Sequence, residues 1–248
     1  MYAFVANTHS DKPSVELLND QKRAYSILGL SYDDAIAQLN RICLTRFGVT
    51  YSENNGMWSE HLVFFAALAT SQVPITNILE IGTFKGETTR ILADLFPNST
   101  VDSIDLSHAE ISRIGTYAYA RKQLPKSEEM PDNVKLKTLN SLQLIDDTIK
   151  YDLIWVDGNH KSPYAQIDIS SAIRLIKENG FVLCDDIYLK TSIFEKDSGS
   201  ESIETIVAFK EAGMIQYSLI RKRLSNKFNN RITGAKFLAV IKKNQRYN

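Results

Sequence analysis

The chain has 248 residues, 44% hydrophobic and 23% charged, the balance of an ordinary globular protein long enough to bury a core without a stapling disulfide or metal. With 29 Lys and Arg against 29 Asp and Glu the formal net charge is +0, so no global field draws the protein to a polyanion and nucleic acid is not an expected partner. Cys43 and Cys184 stand far apart in sequence, which excludes a disulfide framework.

Met1 to His9 carry no basic n-region and too short an apolar stretch for a signal peptide. The longest apolar helical stretch, Leu62 to Ala69, falls well below the roughly 18 residues of a spanning helix. A cytoplasmic location without membrane contact is expected. From Ser14 to Gln72 apolar residues recur at helical spacing, as at Ile36, Leu39, Ile42, Cys43 and Phe47. Ser31 with Asp33 and Asp34 signals a helix start and Gly48 a stop; a later helix should follow Gly56, carry Leu62, Phe65, Ala66 and Ala69, and end before Pro74. Met57 and Trp58 at its start could pack in the helix core or cover a ligand.

After Pro74 short strand-length runs alternate with amphipathic helical segments. Strands are predicted at Asn77 to Ile81, Thr100 to Asp105, Val134 to Leu139, Tyr151 to Asp157, Gly180 to Asp185, Gln216 to Arg221 and Lys236 to Ile241. One helix should follow Gly86, and another should start at Ser107, which forms a capping box with Glu110. A third should run from Ser162-Pro163 to Asn179-Gly180, and a fourth from Glu201 to Ala212. Repeated strand-helix-strand units with right-handed crossovers give an α/β fold, a mostly parallel sheet with helices on both faces. The last two strands are joined by too few residues for a helix, so the final strand should pair antiparallel. The expected division is a helical cap over 1–73 and an α/β domain over 74–248.

In such a sheet ligands bind outside the carboxyl ends of the strands, where strand order reverses. Those ends are Glu80-Ile-Gly-Thr-Phe-Lys-Gly86, Asp105, Asn140-Ser141, Asp157-Gly-Asn-His160 and Asp185-Asp186. The first is a glycine turn that lets a ligand approach the backbone. A dinucleotide would set its pyrophosphate there, against the Glu80 carboxylate, whereas S-adenosylmethionine (SAM) brings a sulfonium and an ammonium and no phosphate. Asp105 is placed as an acceptor pair for ribose hydroxyls. The plain alternative is a glycine turn beside solvated acids.

Ile78-Leu-Glu-Ile-Gly-Thr-Phe-Lys-Gly86, Ile104-Asp105, Tyr151-Asp-Leu-Ile-Trp-Val-Asp-Gly-Asn-His160 and Gly180-Phe-Val-Leu-Cys-Asp-Asp186 resemble class I SAM-dependent methyltransferases, from about Ile75 to the C-terminus. The acid of V-D-G-N-H followed by D-D at the next strand end is similar to cation-dependent O-methyltransferases: the catechol and caffeoyl-CoA type with D…D-N, and the macrocin-type sugar O-methyltransferases with D…D-D. The resemblance implies a Rossmann-like class I methyltransferase fold. It also implies SAM held by Glu80, Gly82, Thr83, Gly86, Asp105 and Asp157, with Asn140 or Ser141 at the adenine, and Mg²⁺ on Asp157, Asp185 and Asp186.

The three acids also argue for themselves, because clustered carboxylates repel unless a proton or cation intervenes, and Mg²⁺ takes oxygen ligands. Alternatively Asp157 caps its Asp-Gly turn and Asp185-Asp186 cap the following loop. His160 stands where the catechol-type family has a lysine. It is a candidate general base on a hydroxyl, with Lys161 as a second candidate and a loop-backbone bond as the plain alternative. His9, His61 and His108 read as structural or exposed.

The basic run Arg221-Lys-Arg223 through Lys227 to Arg231 should rim the site, as a solvated face or as a clamp for an acidic acceptor or RNA. Leu189 to Ser200 reads as a candidate lid. The favoured function is SAM-dependent O-methylation of a sugar, natural-product or aromatic hydroxyl. The alternatives are an N- or RNA-methyltransferase without metal and a non-catalytic SAM-binding subunit. A homodimer is left open.

Overall fold

Ser31 and Gly48 act as their chemistry requires: the Ser31 Oγ accepts the Asp34 amide at 3.3 Å, and Gly48, left-handed at φ 72°, sends its N–H to the Leu44 carbonyl at 3.0 Å. The computed structural model describes residues 14–107, 110, 125–189, 200–224 and 236–244. Three helices come first, α1 (Ser14–Ile27), α2 (Tyr32–Phe47) and α3 (Glu60–Thr70). Every residue of α3 from Glu60 to Leu68 is buried, as a helix apolar on all sides must be. It lies between α2 and the sheet, with Phe64 against Phe181 and Phe65 against Trp155. One buried cluster contains residues from both sides of Pro74.

The strands are β1 (Asn77–Ile81), β2 (Thr100–Asp105), β3 (Val134–Thr138), β4 (Tyr151–Val156), β5 (Ile176–Tyr188), β6 (Ile215–Arg221) and β7 (Lys236–Lys243). They form one seven-stranded sheet in the order β3-β2-β1-β4-β5-β7-β6. All neighbouring pairs from β3 to β5 are parallel, while β7 runs antiparallel to both β5 and β6. Helices α4 (Glu87–Leu95), α5 (Tyr164–Leu175) and α6 (Ser200–Glu211) complete the described elements. Alternation along each strand divides the apolar residues. Ile78, Val101, Leu153 and Trp155 face α2, α3 and α4, and Leu79, Ile81, Ile154 and Val182 face α5 and α6. No described helix is long and apolar enough to cross a membrane.

Several element ends shift by one to three residues from expectation, and the largest difference lies at the start of β5. The helix after Pro163 ends at Leu175, and Asn179-Gly180 lies inside β5. Ile176 already pairs with Tyr151, and the register then breaks before Phe181 pairs with Leu153. Gly180 fits this irregularity because a Cβ there would stand 2.8 Å from the Asp152 carbonyl oxygen. The Ser107–Glu110 capping box closes, Ser107 N–H to Glu110 Oε2 at 3.0 Å and Glu110 N–H to Ser107 Oγ at 3.2 Å. The body of that helix, residues 190–199 of the candidate lid, the basic residues Lys227 to Arg231, His9 and His108 lie outside the described residues.

Glu60, buried at the start of α3, ties the helices to the end of the sheet. Its Oε1 accepts from Tyr32 Oη at 3.0 Å, and its Oε2 from Gln21 Nε2 at 3.0 Å and Tyr25 Oη at 3.3 Å. Gln21 also donates to the Arg221 carbonyl at 3.0 Å and accepts the Arg221 amide at 3.1 Å, while the Glu60 amide donates to the Lys222 carbonyl at 3.0 Å. Burial pushes the Glu60 carboxyl up from 4.5 to about 7, against the lowering effect of the Gln21 and Tyr32 hydrogen bonds. Between those two values the folded state keeps a proton that the unfolded chain releases. The stability from this group is complete below the unfolded value and is lost as pH rises through 7, a change of roughly 3 kcal/mol. Glu60→Gln should therefore melt close to the native protein near pH 4 and clearly above it near pH 8. Glu80, which carries a similar shift, is present in both proteins and cancels from the comparison. Parallel melting curves across that range would remove Glu60 as the source.

Candidate active site

Strand order reverses between β1 and β4, so their carboxyl ends open a cleft. Gly82 makes the junction tight: it sits at φ 101°, and a Cβ there would lie 2.3 Å from the Asp157 carbonyl oxygen. Its amide donates to the Ile104 carbonyl at 2.9 Å, and the Asp157 amide to the Ile81 carbonyl at 2.9 Å. Gly86, at φ 69°, caps α4 where a Cβ would collide with Met130.

Asp105 fastens this turn to β2. Its Oδ2 accepts the Phe84 amide at 2.8 Å and its Oδ1 the Leu106 amide at 2.7 Å, while each oxygen keeps lone-pair capacity for a ribose hydroxyl. Glu80 is wholly buried under the turn. Its Oε2 accepts from Thr89 and Ser103, Ser103 in turn meets Thr83 at 2.7 Å, and its Oε1 is buried with no partner. Burial, moderated by Ser103 and Thr89, lifts its carboxyl to about 7. Glu80 is thus not a solvated acid: it lies buried beneath the turn, where it holds Thr89 and Ser103. Asn140 and Ser141 stand at the end of β3. Asn140 Oδ1 accepts the Leu142 amide at 3.1 Å and its Nδ2 reaches Glu110 Oε1 at 3.2 Å, while Ser141 bonds Asp168.

The other half of the cleft is built by β4 and β5. Between Cys184 and Ile187 the register with β7 slips by one residue, a β-bulge, and Asp186 takes a positive φ of 50°. Successive residues of a regular strand face opposite ways. Here the bulge brings Asp185 and Asp186 onto one ammonium, with Lys222 Nζ 2.5 Å from Asp185 Oδ2 and 2.7 Å from Asp186 Oδ1. Lys236 Nζ meets the other Asp186 oxygen at 2.9 Å. Burial opposes the Asp186 carboxylate, yet Lys222 and Lys236 overcome it and hold its pKa below the ordinary range. Asp157, without such a contact, is pushed up by burial and by Asp185. His160 Nε2 lies 3.5 Å from Asp157 Oδ1 and 3.8 Å from Asp186 Oδ2, with its side chain 38% exposed. Lys161 is exposed beside it, its amide on Asn159 Oδ1 at 3.1 Å.

The structure thus joins Asp157, His160, Asp185 and Asp186 at one end of the cleft and Glu80, Gly82, Thr83, Gly86 and Asp105 at the other. Trp58 packs in the core, stacked on Tyr51, while Met57 is exposed. His61 is structural: buried, neutral, bonded to Ser59 Oγ at 2.7 Å and stacked on Trp155. Sequence reasoning missed Lys222, because the basic run looked like a surface feature, although Arg221 and Lys222 are only 9% and 8% exposed. It also missed Asp168, buried behind Gly158 with its carboxyl raised to about 6, whose only signal is an acid on the apolar face of α5.

An Mg²⁺ ion on Asp157, Asp185 and Asp186 would share one oxygen of Asp185 and both of Asp186 with lysine ammoniums, so the triad does not fit a resident divalent ion while those lysines stay in place. A different set, Asp157, His160 and Asp185, brings ligand atoms within 4.8 Å of one another.

Residues 79–187, from β1 to β5, match a family model described as a methyltransferase domain. The SAH-bound methyltransferase PaMTH1 of Podospora anserina is similar in structure, with a TM-score of 0.52 at 17% identity over 99% of each chain. The O-methyltransferase TomG of Streptomyces achromogenes, involved in tomaymycin synthesis and solved with SAM, gives 0.47 at 17% identity over 91% of this chain and 99% of its own. An rRNA methylase of Streptococcus thermophilus gives 0.48 at 13% identity over 77% and 99%. No curated protein matches the chain in sequence.

Proposed function

From a chain whose residues 79–187 match a methyltransferase-domain family model, we propose an enzyme of the class I SAM-dependent type that moves the methyl group of SAM to a hydroxyl oxygen of a small-molecule acceptor. The acceptor oxygen attacks the methyl carbon in line, the bond from carbon to sulfur breaks, SAH leaves, and the hydroxyl proton passes to a base. The observation that carries the oxygen target is His160. Its half-exposed imidazole opens on the cleft at the end of β4, beside Asp157 and Asp186 and across the β1–β4 junction from the glycine turn. Glu80 and Asp105 would hold the ammonium and ribose ends of SAM, and Asp157 would close the junction over Gly82.

Incubation with SAM and a panel of sugars, phenols and hydroxylated natural products, read by mass spectrometry, should give a singly methylated ether. Methylation confined to amines or RNA would replace this reading, and SAM binding without product on any acceptor class would leave a binding subunit. Asp105→Ala tests the cofactor half. Removing hydrogen bonds to a charged acceptor costs roughly 1.5–3 kcal/mol, so SAH affinity measured by calorimetry should fall about 10- to 100-fold. An unchanged affinity would move the ribose elsewhere.

The RNA reading draws no support from Arg221 and Lys222, which turn inward instead of offering a surface to phosphates.

A further inference from the structure

The carboxylate cluster already holds a cation of its own. Lys222 Nζ bridges Asp185 and Asp186 at 2.5 and 2.7 Å, with a side chain only 10% exposed. The lysine is also anchored through its backbone. Its carbonyl accepts the Glu60 amide at 3.0 Å, its amide donates to the Lys236 carbonyl at 3.0 Å, and Gln21 clamps the preceding residue from both sides. Four elements thus agree on one placement: α1 and α3 fix the backbone at Arg221 and Lys222, β7 fixes its register, and the β5 bulge turns two successive carboxylates toward its ammonium. Lys236 completes the arrangement on the remaining Asp186 oxygen at 2.9 Å.

We propose that Lys222 is the resident cation of this site, so that the enzyme binds no divalent metal in its native state and the carboxylates at the acceptor end are balanced from within the chain. An ion coordinated by these carboxylates at Mg²⁺ distances, about 2.0–2.1 Å, would sit against the Lys222 ammonium and be repelled by it. The alternative set of Asp157, His160 and Asp185 shares Asp185 with Lys222 and meets the same repulsion. The inference builds on the proposed function only in calling this the acceptor end.

The test reads metal binding directly, without an acceptor. The full chain is stripped with chelator, desalted and titrated with Mn²⁺ by electron paramagnetic resonance, alongside Lys222→Met and Lys222→Arg. The native protein and Lys222→Arg, which keeps the charge, should bind no stoichiometric Mn²⁺ at millimolar concentration. Lys222→Met leaves Asp185 without its ammonium, with Lys236 still on Asp186, and should bind at least about tenfold more tightly than the native chain, since each 1.4 kcal/mol is tenfold. Should Lys222→Met fail to fold, the native titration still decides. Stoichiometric Mn²⁺ binding by the native chain overturns the proposal, as does a folded Lys222→Met that binds no better. Failure to methylate any hydroxyl, with Mn²⁺ still excluded, would count against the proposed reaction and leave this assignment standing.

Discussion

Gly82→Ala should lose SAH affinity by about 100-fold or more and melt well below the native protein. The reason is local and severe. A Cβ at this position would lie 2.3 Å from the Asp157 carbonyl oxygen, 2.8 Å from its carbon and 3.1 Å from the Gly158 nitrogen, all backbone atoms with no rotamer to escape into. The backbone also sits at φ 101°, outside the range that side chains accept. Strain of this kind costs roughly 1–3 kcal/mol and forced repacking roughly another 1–3. At roughly 2–4 °C per kcal/mol for a chain of this size, the melting temperature should fall by about 5–20 °C. The strand ends must part to relieve the clash, and they are the floor of the proposed cofactor cleft, so the groups that would hold SAH move with them; losing hydrogen bonds worth roughly 3 kcal/mol there is about 100-fold in affinity. Gly48→Ala is the matched control: it has φ 72° but nothing within 4 Å of a new Cβ, so it should cost only the backbone strain and leave SAH binding intact. Equal effects of the two substitutions would show that the Gly82–Asp157 contact carries no special cost.

The strands were legible because each pairs a short β-branched or apolar run with a polar break, and the glycine turn was legible because its glycines and the acid at the next strand end stand within one local segment. Gly82 and Gly86 show left-handed backbones where the motif requires them. The rest depends on distance along the chain. Lys222 is separated by 37 residues from Asp185, and only the antiparallel insertion of β7 between β5 and β6 brings the exit of β6 over the bulge. A run of Arg and Lys has the same local signature whether it faces water or a buried acid. The end of α5 was misread because Lys177, Glu178 and Asn179 continue a helical polarity pattern, while Lys177 instead reaches Asp152 at 2.8 Å and lets the chain enter β5 early. Glu60 and Asp168 are buried acids whose partners, Tyr25, Tyr32, Gln21 and Ser141, come from other elements, so no spacing rule could select them.

His160→Ala should lower the single-turnover rate of methyl transfer by about 100- to 10,000-fold, roughly 3–5 kcal/mol in the barrier, the usual contribution of a positioned base. The imidazole is the proton acceptor of choice by position: it is half-exposed, on the loop that follows β4, and 3.8 Å from the Asp186 carboxylate, which Lys222 and Lys236 keep ionised and which can hold the imidazolium once it forms. Asp157 lies 3.5 Å away at the start of the same loop. SAH affinity should not change, because Glu80, Gly82 and Asp105 lie on the other side of the junction. The substitution also leaves a space the size of a ring, so free imidazole in the assay should restore part of the lost rate, a response that a merely structural histidine would not give. Lys161→Ala, at an exposed neighbour, should have little effect on turnover. If instead Lys161→Ala took the loss and His160→Ala kept full turnover, the base would be the lysine. A loss at His160 with no rescue by imidazole and a rise in the acceptor KM alone would make it a residue that places the acceptor, with the proton leaving by another route.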